Sequence, residues 1–284
     1  MKDTKNIKKF LKTVFARKVT VINAIIVLIF IFLAIFAPFV APYDPDKPDF
    51  AAFLQLPSAA HVLGTDNFGR DVLSRIIYGT RVSLIIGVLA VVVACAVGTV
   101  LGMIAGYFGG WIDDVITRLM EAVRAIPQII LAMALTAVFG SGIRNLAIIL
   151  GISSMAGYVR MMRGQVLTIK QADYIMAGKL QGNKDFRLMF RHILPNSISP
   201  IIVMMTQQVG STILAEAGLS FLGLGSYKEK SWGLILHYAF YQRGVIRGYY
   251  WWYLPPIICT ALAALGFMLL GYYGTQKTEG KKHV

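Results

Sequence analysis

The chain has 284 residues, of which 56% are hydrophobic and 15% charged, and its mean hydropathy is +0.63. Soluble domains carry about 25% charged residues, so this balance excludes a typical soluble enzyme, a disordered tail and a secreted disulfide scaffold and points to a polytopic membrane protein. The 28 Lys and Arg against 14 Asp and Glu give a net charge of +14; they lie between apolar runs, which fits positive-inside anchoring better than nucleic-acid binding.

A helix needs about 20 apolar residues to cross the hydrocarbon core. Stretches without Asp, Glu, Lys or Arg predict six spans. The first lies within Val19 to Tyr43, with its core from Val21 to Ala41. Its apolar core is too long for a signal peptide and no small-x-small cleavage site follows it. An acidic, Pro-rich segment follows, from Pro42 to Pro57. From Asp71 to Ser83, Val72, Leu73, Ile76, Ile77 and Leu84 recur at helical spacing with Arg75 and Arg81 on other faces. That pattern predicts an amphipathic helix at the outer interface.

The second span runs from Val82 to Ile112, and Gly98, Gly102 and Gly106 recur along it at intervals of four. Small residues at that spacing let a neighbouring helix approach closely, from this chain or another subunit. Asp113 and Asp114 open a short helix before the third span, Ala125 to Ile143. The run Gly140-Ser141-Gly142-Ile143-Arg144-Asn145 predicts a tight reversal. A short fourth span follows, Asn145 to Val159. The fifth is Ile193 to Ala215, ending at Glu216, which reads as a solvated acid at a helix end. A hairpin from Glu216 to Arg247 leads to the sixth span, Gly248 to Gln276. Its opening aromatic cluster, Tyr249 to Tyr253, fits an interfacial belt. Cys95 and Cys259 fall in apolar runs and read as inert thiols.

Nineteen Lys and Arg fall on one side of this layout and nine on the other. Both termini are therefore expected in the cytoplasm. The layout is a tail at 1–20, a first anchor at 21–41, an extracytoplasmic segment at 42–81, a core at 82–276 containing a cytoplasmic loop at 160–192, and a tail at 277–284.

The chain lacks G-x-x-x-x-G-K-[ST], H-E-x-x-H and C-x-x-C, so nothing predicts nucleotide or metal binding. The spans as drawn carry no ionisable group near their centres, which weighs against a proton-coupled transporter. The long loop is the informative part. A helix is predicted from Gln171 to Gln181, stopped at Gly182-Asn183. A second helical piece runs from Phe186 to Ile193, and Pro195 opens the fifth span. A short half-apolar helix of this kind suits a groove on a partner, and an ordinary solvated loop remains open as well.

Met176-Ala177-Gly178 followed by Gly182, with Leu194-Pro195 beyond, resembles the EAA loop of ABC importer permeases. In that family the loop forms a coupling helix seated in a cleft of the ATPase subunit. Met176 stands where the family usually has Glu, Gly178 where it has a second Ala, and His192 where it has Ile. HVLGTDNFGRDVLSRIIYGTRVSLIIG (His61 to Gly87), RHILPN (Arg191 to Asn196) and EAGLSFLGLG (Glu216 to Gly225) are similar to the C-type permeases of dipeptide, oligopeptide and nickel importers. The resemblance spans about residues 20–275.

It implies an all-α, type I permease fold of six transmembrane helices in a bacterial plasma membrane. It assigns ATPase coupling to Met176, Ala177, Gly178, Gly182, Asp185, Leu194 and Pro195. It also implies a B-type permease as the other half, two cytoplasmic ATP-binding subunits that hold ATP and Mg, and an extracytoplasmic solute-binding protein. This chain would hold no cofactor and catalyse nothing. Peptide cargo is implied ahead of nickel chelates. The rival reading is a stand-alone secondary transporter or channel, which needs charges inside the spans.

Overall fold

The computed structural model describes residues 18–279, with side chains to 273. Lys2, Lys5, Lys8, Lys9, Lys12 and Arg17 of the basic tail lie outside the described residues, as do Lys281 and Lys282. The fold is helical, with only an isolated bridge between Thr65 and Asp71 in place of sheet among the described residues. The described residues form ten α-helices: α1 (Lys18–Val40), α2 (Val72–Phe108), α3 (Gly110–Ala125), α4 (Gln128–Phe139), α5 (Ile143–Ile169), α6 (Asp173–Leu180), α7 (Asp185–Leu188), α8 (Leu194–Phe221), α9 (Trp232–Tyr241) and α10 (Tyr250–Glu279). Helices satisfy their backbone polar groups internally except at their ends, which is what lipid demands. Among the described residues five helical stretches are long and apolar enough to cross a membrane, or six if the bent pair α3–α4 is counted as one span.

The interior is built on α2 and α5. The three small residues of α2 press against α5, so the partner helix belongs to the same chain. A Cβ at Gly98 would fall 2.6 Å from the Tyr158 Cβ, one at Gly102 2.4 Å from the Val159 carbonyl oxygen, and one at Gly106 2.8 Å from the Val166 Cβ. α8 and α10 pack beside them, and α1 lies against α2 and α10. Much of α1 is open, with Leu28 and Ile35 exposed, as befits a lipid-facing anchor.

Several spans differ from the sequence reading. Residues 72–83 form no separate interfacial helix. They are the first turns of the 37-residue α2, about 55 Å long, and outlast the roughly 30 Å hydrocarbon core. Arg75 is buried here, not on an outer face. The third span is broken. Pro127 follows Ile126, whose backbone is extended at φ −91 and ψ 126, and the helices on either side meet at 91°. The reversal at Gly140 to Asn145 holds: α4 ends at Phe139, Gly140 and Gly142 take positive φ, and Asn145 Nδ2 donates to the Phe139 carbonyl at 2.7 Å. α5 runs ten residues past Val159, so Arg160 and Arg163 sit on a helix rather than in a loop. At the other junction, helix continues without a break from Asp185 to Phe221, through a π-helical turn at Met189–Ile193 and through Pro195.

The segment between α1 and α2 is a compact turn held by local bonds. Asp66 is buried and accepts from the Phe68 and Arg70 amides at 2.8 and 3.0 Å and from Arg70 Nε at 2.8 Å. Asp71 caps α2 by accepting from the Ser74 amide at 2.8 Å. Gly69 has φ 71, and a Cβ there would sit 1.6 Å from the Asp49 carbonyl oxygen, so only glycine fits. Trp251 Nε1 donates to the Thr65 carbonyl at 3.3 Å. Trp251 and Trp252 are buried in the main core, so the expected interfacial belt reduces to its outer members, such as exposed Tyr250. Cys95 and Cys259 are free and partly buried.

The largest departure is Glu216. It is 0% exposed, not a solvated helix end. Its Oε2 accepts from Ser83 Oγ of α2 at 3.0 Å, and its Oε1 accepts from Ser220 Oγ of α8 at 2.7 Å. α9 lies directly over this point: a Cβ at Gly233 would be 2.3 Å from the Ala217 carbonyl oxygen.

Candidate functional site

The loop singled out by the sequence folds as a short helical hairpin across the end of the bundle where α2 finishes and α8 begins. α6 starts at Asp173, an acid in its first turn, and has Lys179 in its last turn. Both charges oppose the helix macrodipole favourably. Gly182, at φ 77, ends it, and Asn183 Nδ2 donates back to the Gly178 carbonyl at 3.0 Å. The second leg, α7 and the π-helical turn, returns directly into α8.

One side of the hairpin is anchored. Ile175 of α6 packs with Leu188, Met189 and Ile193 from the second leg and with Met103 and Met162 from α2 and α5. Burying such side chains contributes about 1.5–3 kcal/mol each. Gly178 lets the two legs close: a Cβ there would stand 3.1 Å from Leu188 Cδ2. Polar ties reinforce the anchor. Tyr107 Oη, one residue before the end of α2, donates to Asp185 Oδ1 at 2.5 Å, and Lys170 Nζ donates to the Tyr107 carbonyl at 2.5 Å.

The other side is open and apolar. Met176 is 50% exposed, Leu180 90% and Phe186 71%, with Ala177 and Tyr174 also exposed. Phe186 and Phe190 stack in a tilted pair at 4.4 Å between centroids. A rigidly backed helix with protruding Leu, Met and Phe is the geometry of a helix-in-groove ligand.

The sequence-predicted residues divide accordingly. Met176, Ala177 and Gly182 lie on the open side, Gly178 in the crease between the legs, and Asp185 on the Tyr107 tie. Leu194 is half-buried against the anchor cluster, while Pro195 is exposed in the first turn of α8. The sequence reading missed Tyr107 and Lys170, whose roles depend on helices 63 residues apart meeting. Asn196 was also missed; its Nδ2 donates to the His192 carbonyl at 2.7 Å and to Tyr174 Oη at 3.3 Å.

Comparison with known proteins then places the chain. Residues 98–273 match the family described as "Binding-protein-dependent transport system inner membrane component", and residues 7–57 match "N-terminal TM domain of oligopeptide transport permease C". The chain belongs to the binding-protein-dependent transport permeases. It is 40% identical to a dipeptide transport system permease protein of Alkalihalophilus pseudofirmus over 89% of this chain and 83% of that protein. It is 38% identical to a glutathione transport system permease protein of Pectobacterium atrosepticum, over 82% of this chain and 78% of that one. Among solved structures, an amino acid ABC transporter with histidines aligns with 75% of this chain and 95% of its own, at TM-score 0.49 and 18% identity.

Membership makes this chain a multi-pass membrane permease and not an enzyme, and it makes transport dependent on a binding protein. That overturns the stand-alone transporter or channel. The absence of charges inside the spans is not the ground for this, because Arg160, Arg163 and buried Glu216 all lie on the long helices of this permease.

Proposed function

We propose that the chain is the C-type permease half of an ABC importer for di- and oligopeptides, with α6 as the helix that docks into an ATPase subunit. The other half is a B-type permease, and two cytoplasmic subunits bind ATP and Mg. An extracytoplasmic solute-binding protein delivers cargo to the Glu216 end of the bundle. Both termini and α6 face the cytoplasm of a bacterial cell. The excess of Lys and Arg on that side supports the orientation. The names of the dipeptide and glutathione relatives support the cargo class.

The observation that carries the docking role is the two-sided character of the α6 hairpin. Its outer side offers exposed Met176, Leu180 and Phe186, while its inner side is fixed to α2 and α8 through Ile175, Leu188 and the Tyr107–Asp185 bond. A load applied to the outer side is therefore passed on to the elements behind it. It passes into the helix that runs from Asp185 to Phe221, about 55 Å, and reaches the buried Glu216 at the far end. The π-helical turn at Met189–Ile193 and Pro200 are the points at which this lever can bend. ATP-driven closure of the ATPases would pull the hairpin, rock α8 and alternate access at the contact between the two permeases.

The test is substitution on the outer side. Ala177→Arg with Gly182→Arg, or Leu180→Asp alone, should leave membrane insertion intact and abolish both transport and ATPase co-purification. Full retention of the ATPase by both variants would contradict the docking role.

A further inference from the structure

Away from the α6 hairpin, α3 and α5 enclose a cavity of about 280 Å³ between Thr117, Glu121 and Arg124 on one side and Arg160 and Arg163 on the other. Its charges are unequally satisfied. Asp113 of α3 accepts from Arg163 Nε at 2.5 Å and from Nη2 at 2.6 Å, a two-pronged pair, and also from Thr117 Oγ1 at 3.1 Å. That pair ties α3 to α5 beside the cavity. Arg124, Arg160 and Glu121 have no side-chain hydrogen bond or ion pair among the described residues. All three are exposed.

Ionisable side chains on spanning helices of an apolar chain are costly in lipid and belong on a water-filled path or against a charged ligand. Arg160 is nine residues from the end of α5, about 14 Å along the helix, so it is set well back from that helix end. Guanidinium groups recognise carboxylates through two parallel hydrogen bonds. A carboxylate in the same cavity adds a partner for an ammonium group.

Resting on the peptide reading above, we propose that this cavity is a cargo subsite for short zwitterionic peptides: Arg124 and Arg160 take the terminal carboxylate and Glu121 takes the terminal ammonium. The Arg163–Asp113 pair positions the two helices and does not touch cargo. The site lies on the α3–α5 surface, and cargo held there passes between this permease and its neighbour. Glu121 disfavours an anionic lipid headgroup at the same place.

The experiment uses the complete transporter in vesicles, with labelled Ala-Phe as probe in free, C-amidated and N-acetylated forms. Uptake is compared for wild type and for the Arg124→Gln, Arg160→Gln, Arg160→Lys and Glu121→Gln variants, at equal amounts of assembled complex. Loss of either arginine should lower uptake of the free dipeptide about tenfold and erase the advantage of the free over the amidated form. Arg160→Lys should restore part of the rate. Glu121→Gln should erase the advantage of the free over the acetylated form. Wild-type uptake with unchanged rates and terminus preferences in all variants would overturn the subsite and leave the peptide reading standing. A wild-type transporter that moves no peptide would overturn both. Phospholipid retained by wild type and lost from the arginine variants in native mass spectra, with peptide uptake unchanged, would assign the cavity to a lipid headgroup instead.

Discussion

The Glu216 carboxylate accepts a hydrogen bond from Ser83 Oγ at 3.0 Å across 133 residues of chain, in a place sealed from solvent. With the Ser220 bond on its other oxygen, this contact fastens the end of α8 to α2 beneath α9. The same α8 begins beside the α6 hairpin, so one continuous helical stretch connects the candidate docking surface with the most deeply buried acid of the fold.

Glu216→Ala should strand two hydroxyl donors and leave a hole between α2, α8 and α9. A buried unsatisfied polar group costs about 1–3 kcal/mol, so a loss near 3 kcal/mol is expected, with Glu216→Gln milder because it keeps one acceptor. Thermal unfolding of the detergent-solubilised chain reads both. Equal Tm values for wild type and Glu216→Ala would mean that the contact is not structural.

The α2–α5 seam makes a sharper demand. At Gly102 a Cβ would lie 2.4 Å from a carbonyl oxygen, and backbone cannot move aside as a flexible side chain can. Gly102→Ala should cost about 1–3 kcal/mol through overpacking, and Gly102→Val should prevent accumulation of folded protein. Gly164, which has nothing within 4 Å of a Cβ placed there, supplies the control, since Gly164→Ala should be neutral or slightly stabilising. Expression and Tm across these variants provide the comparison.

Tyr107→Phe removes the donor to Asp185 while preserving the ring. A single hydrogen bond to a charged group contributes about 1.5–3 kcal/mol, and here it holds a local element. Backbone hydrogen exchange should therefore rise over residues 173–188 with little change in the α2–α5 core. Transport should fall more than ATPase binding, because the outer side of α6 is untouched. A uniform rise in exchange across the chain would show that the bond supports the whole fold instead.

The segment before α2 offers a test at the opposite end. Gly69→Ala would place a Cβ 1.6 Å from the Asp49 carbonyl oxygen and hold it at φ 71. The turn around buried Asp66 should open, exposing residues 49–71 to protease. Trp251→Phe loses the bond to the Thr65 carbonyl and also part of a buried indole, so it should loosen the same segment by more than the roughly 1 kcal/mol of the bond alone. Limited proteolysis ranks the two.

What the sequence revealed follows from the range of the forces involved. Long apolar runs predicted helices at α1, α2, α8 and α10 because hydrophobic length is a local property. The Gly98-Gly102-Gly106 spacing predicted a close helix contact but not its partner, since spacing describes one surface only. Pro127 was visible in the sequence, yet the bend of 91° depends on what packs around it. Glu216 was misread because a lone acid after an apolar run looks like a helix end. Its burial rests on Ser83, far away in the chain, together with Ser220 one turn on. In the α6 hairpin, the helix and its Gly182 stop were legible from capping patterns. The anchors Tyr107 and Lys170 were not, because nothing local marks a residue whose partner is 63 or more positions away.

The central claim is that this permease works only as part of an ATP-driven assembly. Affinity purification of the chain from gently solubilised native membranes, with its companions identified by mass, tests this most directly. The account predicts recovery of a second permease and of P-loop ATPase subunits, lost together with transport when Leu180 is changed to Asp. Isolation of a lone, transport-active homo-oligomer would contradict it.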